Sequence, residues 1–188
     1  MTLACLWHGS AVSAATTIYN DFTAFELATG AGLNFEEFDD LTFENVALTT
    51  NEAGSAFLTG GQLRARPTRA GTTLTYNFTS PITAFGGDFD LSPGGDGNGL
   101  RFVLDGSEIV SEEIGAPYVG FWGFVSDVSF TTLVVQAGSD PGIAETHLFD
   151  NLSFGVASPA PIPLPAGFPL LLSALLGFFG MRHVGRRA

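Results

Sequence analysis

The chain has 188 residues and a formal net charge of −12, with 19 acidic residues against seven arginines and no lysine. Every acidic residue falls between positions 16 and 158, where only Arg64, Arg66, Arg69 and Arg101 oppose them. Such a surface repels nucleic-acid phosphates, which excludes nucleic acid as a partner, and 18 phenylalanines exclude a disordered acidic chain.

Met1 to Ala15 reads MTLACLWHGSAVSAA, a weakly apolar run that ends in small residues fit for a signal-peptidase cut. It lacks a basic start, so residues 1–15 are expected to be a signal peptide that is truncated or begins upstream. Cys5 is the single cysteine. Once the leader is removed, the mature chain offers no disulfide, no thiolate metal ligand and no cysteine nucleophile.

Residues 16–157 have the length of one domain with a core. Asp21 followed by Phe22, Phe25 and Glu26 predicts one short capped helix that stops at Gly30. Beyond it the pattern has period two. Leu74, Tyr76 and Phe78 alternate with Thr73, Thr75 and Asn77, and Phe85, Phe89 and Leu91 alternate with Ala84, Asp88 and Asp90. Further strands are expected over 99–104, 108–114, 118–125, 130–136 and 147–154. Turn residues separate the runs: Gly60-Gly61, Ser80-Pro81, Asp105-Gly106, Ala116-Pro117 and Asp140-Pro141-Gly142. Asp105-Gly106 between Phe102-Val103-Leu104 and Ile109-Val110 predicts a tight hairpin. Some nine short strands at this spacing predict an all-β fold, a jelly-roll-like antiparallel β-sandwich with one short N-terminal helix.

The C-terminus is of another kind. Residues 158–165 carry Pro159, Pro161, Pro163 and Pro165, which make a stiff extended spacer. Residues 166–181 then run AGFPLLLSALLGFFGM without a charge. As a helix this run spans about 24 Å, and snorkelling flanks extend its reach toward a bilayer core of about 30 Å. Arg182, Arg186 and Arg187 in residues 182–188 would hold that end in the cytoplasm. The expectation is a single C-terminal transmembrane helix with the domain outside.

Proline motif, apolar helix and arginine cluster in that order resemble the PEP-CTERM sorting signal of Gram-negative bacteria. The motif here, Pro161-Ile162-Pro163-Leu164-Pro165-Ala166, is similar to the variant that reads VPLPA, with Ile162 in place of valine. The resemblance implies recognition and cleavage by an exosortase-type enzyme. The protein would be held transiently in the inner membrane, then released to the cell surface or extracellular matrix. Phe85-Gly86-Gly87-Asp88-Phe89 and Phe121-Trp122-Gly123-Phe124-Val125-Ser126-Asp127 are similar to phrases of the globular domains that precede this signal, and carry no reaction with them.

Within the domain, regular alternation over 147–154 puts Asp150 on one face with Leu148, Leu152 and Phe154, where an ionised carboxylate needs a partner or a cation. The same alternation turns His147 outward, to the surface. An early Asn34-Phe35-Glu36 with a late Asp150-Asn151 resembles galactose-binding-like jelly rolls, the scaffold of many carbohydrate-binding modules. That resemblance implies a structural Ca²⁺ between first and last strands with Glu36 and Asp150 as ligands, and Asn34 and Asn51 as weaker ones. The alternative is an Asp150 that faces solvent or pairs with arginine. Asp88 to Gly99 fails as an EF-hand loop, with Pro93 where glycine is needed and Gly99 where glutamate is needed. Trp122 is a candidate sugar platform, with core packing beside Phe124 as the competing reading. Glu36, Glu37, Asp39 and Asp40 are available to a glycosidase, but no pair of them is marked as opposed across a cleft. The expected role is that of a non-catalytic adhesive or structural protein of an exopolysaccharide matrix. The alternatives are a carbohydrate-binding module and a secreted glycan hydrolase.

Overall fold

The computed structural model describes residues 15–30, 32–94, 97–106 and 108–158. The chain divides into two units, Met1–Ser158 and Pro159–Ala188. The second, with the sorting motif, expected span and arginine tail, lies outside the described residues, as does the expected leader through residue 14. Among the described residues no helix is long and apolar enough to cross a membrane.

In chain order the elements are β1 (Thr16–Tyr19), α1 (Phe22–Thr29), β2 (Asn34–Glu36), β3 (Val46–Thr50), β4 (Ala56–Thr59), β5 (Gln62–Ala65) and β6 (Leu74–Asp90). A 3₁₀ turn (Ser92–Gly94) follows, then β7 (Leu100–Leu104), β8 (Glu108–Ile109), β9 (Val119–Ala137) and β10 (His147–Gly155). All pairings between these strands are antiparallel. The fold is all-β with one short helix.

Two long strands organise it. The sequence breaks each into two runs, but β6 is continuous over 17 residues and β9 over 19. Their mutual register slips between Asn77 and Ala84 on β6, opposite Val125 to Thr132 on β9. Ser80-Pro81 is therefore a bend inside a strand, where Pro81 has no N–H to give to the ladder. On one side of the bend β3 pairs with the first half of β6, and β7 and β8 follow the second half of β9. On the other side β1 flanks the first half of β9, while β10 flanks the second half of β6. The far edge of β10 pairs with β5 at its start and β2 at its end, and β4 closes the edge beyond β5.

The two halves face each other through aromatic rings. Phe78 of one meets Phe154 of the other at 5.1 Å between centroids, Tyr76 meets Phe149 at 6.0 Å, and Phe102 meets Trp122 at 4.5 Å. This is a β-sandwich with the alternating residues expected from the sequence, including Leu74, Tyr76, Phe85, Phe89 and Leu91, buried between its sheets. Each such phenylalanine contributes roughly 2–3 kcal/mol by leaving water. Phe149 fits only because its neighbour on β6 is glycine: a Cβ at Gly87 would stand 2.5 Å from the Phe149 ring.

The helix forms as expected. Asp21 caps it by accepting from the Ala24 N–H at 2.8 Å, and Gly30 ends it at φ 72°. It covers the outer face of the second sheet: buried Phe25 packs on Phe121 at 5.2 Å and on Tyr19 at 5.9 Å. The Ser158 N–H donates to the Thr29 carbonyl at 2.8 Å, fastening the end of the domain to the end of this helix.

The tight hairpin expected at Asp105-Gly106 is present, and the Gly60-Gly61 turn closes a second one. Gly60-Gly61 joins β4 to β5 with Thr59 opposite Gln62. Asp105-Gly106 leads from β7 to β8, with Asp105 Oδ1 accepting from the N–H groups of Thr131 and Thr132 at 3.0 and 2.8 Å. The strand expected over 108–114 shrinks to Glu108–Ile109, with Ile114 forming an isolated bridge to Leu100.

Candidate functional site

Trp122 is not a sugar platform. It is 2% exposed and lies flat against Phe102, with Phe89 at its edge. Its place on β9 turns it into the sandwich, so packing accounts for it.

The face assignment along β10 is reversed at its start. His147 and Phe149 are fully buried, while Leu148 and Asp150 point to the outer side. A bulge at Asp150–Asn151, with Asn151 at φ 52°, then resets the phase so that Leu152 and Phe154 turn inward. Asn tolerates this left-handed backbone better than most residues. Asp150 thus stands opposite Asp88 on the outer face, its Oδ1 accepting from the Asn151 N–H at 2.8 Å; the Asn151 amide in turn donates to Asp88 at 2.8 Å. His147, expected at the surface, is a core residue.

Glu36 sits opposite Leu152, hence on the inner side of the sheet, with its Oε1 accepting from the Phe38 N–H at 2.9 Å. Glu36 and Asp150 therefore address opposite faces, since cross-strand partners share a face. Of the weaker candidates, Asn34 donates to the Phe154 carbonyl and Asn51 to the Gly71 carbonyl. Among the described residues no three His, Cys, Asp or Glu side chains gather within reach of one ion. These residues as arranged do not fit the shell of a shared Ca²⁺. Glu36, Glu37, Asp39, Asp40 and Glu44 instead rim a shallow depression of about 440 Å³.

One end of the sandwich carries a buried polar group that the sequence does not single out. Glu145, His147 and Asn98 have no exposed surface. Glu145 Oε2 accepts from the Gly99 N–H at 2.9 Å, and the Asn98 amide donates to the Gly142 carbonyl at 3.3 Å. Glu145 Oε1, Asn98 Oδ1, both His147 ring nitrogens and Trp122 Nε1 have no partner among the described residues. Burial raises the Glu145 carboxyl above its ordinary range, and nearby Asp140 adds to the rise, against the pull of the Gly99 and Thr146 amides. Burial alone lowers His147 from 6.5 to about 4, so its ring is neutral at pH 7.

Just outside this end lies the cleft of greatest interest, about 720 Å³ in volume. The 52–55 loop, the β4–β5 edge, the 3₁₀ turn and Thr146 before β10 enclose it. Counting outward from the Gly60-Gly61 turn, Phe57 falls opposite Arg64, and Arg64 opposite Leu148, so all three share the outer face. Phe57 is 50% exposed, with the Arg64 guanidinium 6.0 Å from its ring centroid. Arg66 follows two residues on and so shares that face. A hydroxyl relay backs the cleft: Thr68 donates to Thr72 at 2.9 Å, and Thr72 to Glu52 at 2.6 Å. An exposed ring, two guanidinium groups and hydroxyls in one concavity suit a ligand with an apolar face and many hydroxyls.

No family model matches the chain, and no curated protein matches it. Among solved structures it is similar to variants of a family 29 carbohydrate-binding module, studied for the mechanism of ligand recognition. Two of them show 14% identity and a TM-score of 0.45 over 71% of this chain and 98% of theirs. A third gives 14% and 0.44 over 80% and 99%.

Proposed function

We propose that residues 16–157 form a non-catalytic carbohydrate-binding module. The observation that carries this reading is the cleft at the β4–β5 edge, where the half-exposed Phe57 ring lies beside Arg64, Arg66 and a row of hydroxyls. Pyranose rings have an apolar face that packs on aromatic rings and a rim of hydroxyls that pairs with fixed polar groups. The matrix or adhesive role expected from the sequence then has a physical basis, namely capture of an extracellular polysaccharide.

Export supports the same reading from the sequence side. The motif 161–166, the apolar run 166–181 and Arg182, Arg186 and Arg187 resemble an exosortase-processed sorting signal. It would carry the domain through the inner membrane to the surface or matrix of a Gram-negative cell.

The test is affinity electrophoresis of the full-length protein through gels that contain a panel of soluble neutral and acidic polysaccharides. Retardation by at least one of them, lost in Phe57→Ala but kept in Phe35→Ala, is expected. Phe35 is 53% exposed and away from the cleft, so it controls for nonspecific aromatic contact. No retardation by any polysaccharide overturns the reading.

A further inference from the structure

The domain holds 19 carboxylates and only four arginines, so each cation has many possible partners. Arg101 takes one, its Nε standing 2.8 Å from Glu113 Oε1. Arg69 turns to the carbonyls of Ser139 and Asp140. Arg64 and Arg66 pair with no carboxylate among the described residues, although both line the cleft together with Glu52. The Glu52 carboxylate is engaged instead by the Thr72 hydroxyl at 2.6 Å. Two cations that no described carboxylate engages thus stand two residues apart, about 7 Å where the chain runs out of β5, in one concavity.

From this we infer that the cleft takes a carboxylated sugar, a uronate unit of an acidic polysaccharide, with Arg64 and Arg66 on the carboxylates and Phe57 under the ring. The inference rests on the carbohydrate-binding reading and sharpens it to a substrate class. A guanidinium presents paired N–H donors in a fork that matches a carboxylate, a fit that a hydroxyl does not reproduce. The repulsion from the rest of the domain does not reverse the preference. At physiological ionic strength charges more than about 8 Å apart are largely screened, while the two arginines act at contact. The surrounding acidity would instead select for ligands that reach both guanidinium groups, and against diffuse polyanions such as nucleic acid.

The experiment is isothermal titration of the full-length protein with oligogalacturonate, oligoglucuronate and oligomannuronate, each paired with its carboxyl-reduced neutral counterpart. At least one uronate is expected to bind tenfold or more tightly than its reduced form, and to weaken as salt rises. Arg64→Gln and Arg66→Gln should each erase most of that difference, the uronate losing tenfold or more while the reduced form loses far less. Unaltered thermal melting of both variants shows that they fold. Equal or tighter binding of the reduced forms overturns the uronate assignment and leaves the carbohydrate-binding reading standing. Binding of no member of either series overturns both. A sulfated oligosaccharide held as tightly as the best uronate replaces carboxylate selectivity with a general anion preference, which also defeats the assignment.

Discussion

Trp122 lies on Phe102 with ring centroids 4.5 Å apart and planes 15° from parallel, across the seam between the two sheets. The pair joins β9 to β7 from inside the sandwich, and Phe89 and Phe124 close on the indole from its sides. Trp122→Ala is therefore expected to cost about 3–5 kcal/mol, the range for emptying a large aromatic site. Trp122→Phe should cost far less, since the indole N–H has no partner among the described residues to lose. Urea unfolding monitored by circular dichroism measures both, and a change below about 1 kcal/mol for the alanine variant would contradict the packing role.

His147 sets a pH dependence whose sign follows from its burial. Its pKa is about 4 when folded and near 6.5 when unfolded, so between those values the unfolded chain binds more protons. Stability should be full above pH 6.5 and fall as pH drops toward 4, by up to ~3 kcal/mol. Glu145, raised in the fold, acts in the opposite sense: the folded chain holds its proton more tightly, which stabilises it as pH falls through the same region. His147→Phe should flatten the curve between pH 6.5 and 4.5, and Glu145→Gln should steepen it. Urea midpoints across that range, with m unchanged, check the two slopes; identical curves for all three proteins would refute the assignment.

Gly87 leaves room for the Phe149 ring, which stacks on Phe85 at 14° between planes. A methyl group there would also come within 2.8 Å of the Asp150 carbonyl, so it meets backbone as well as side chain. Gly87→Ala should destabilise by roughly 1–3 kcal/mol through overpacking. Combining it with Phe149→Leu should restore part of the loss, and strict additivity of the two would show that the ring and the methyl group do not compete.

Asp21 starts the only helix among the described residues, and that helix covers the outer face at Phe121. Asp21→Ala removes the cap bond to Ala24 and should cost about 0.5–2 kcal/mol. Asp21→Asn, which keeps an acceptor oxygen, should retain most of it. The thermal midpoint distinguishes the pair.

What could be read from the sequence was whatever local chemistry decides. Asp21 and Gly30 bound the helix because capping and a positive φ are properties of single residues. Gly60-Gly61 and Asp105-Gly106 mark their turns for the same reason. Short strands such as Thr16–Tyr19 and Val46–Thr50 lack a strong alternation, and they form because β9 and β6 offer them open edges. A single bulge at Asn151 shifts the phase of β10, so period-two counting, which assumes a regular strand, gives His147 and Asp150 the wrong sense. The cleft draws on four separated segments, none of which looks special alone. Its one legible trace was arithmetic: a two-glycine turn forces Phe57 and Arg64 to be neighbours.

The fastening of Ser158 to Thr29 bears on how the domain would be presented. Strand β10 begins one residue after Thr146, which lines the cleft, and ends three residues before Ser158, and its nine residues stretch over roughly 30 Å. The end of β10 and the Ser158–Thr29 clasp therefore lie far from the binding cleft. The clasp that closes the domain and the surface that would capture a ligand thus draw on different sides of the sandwich.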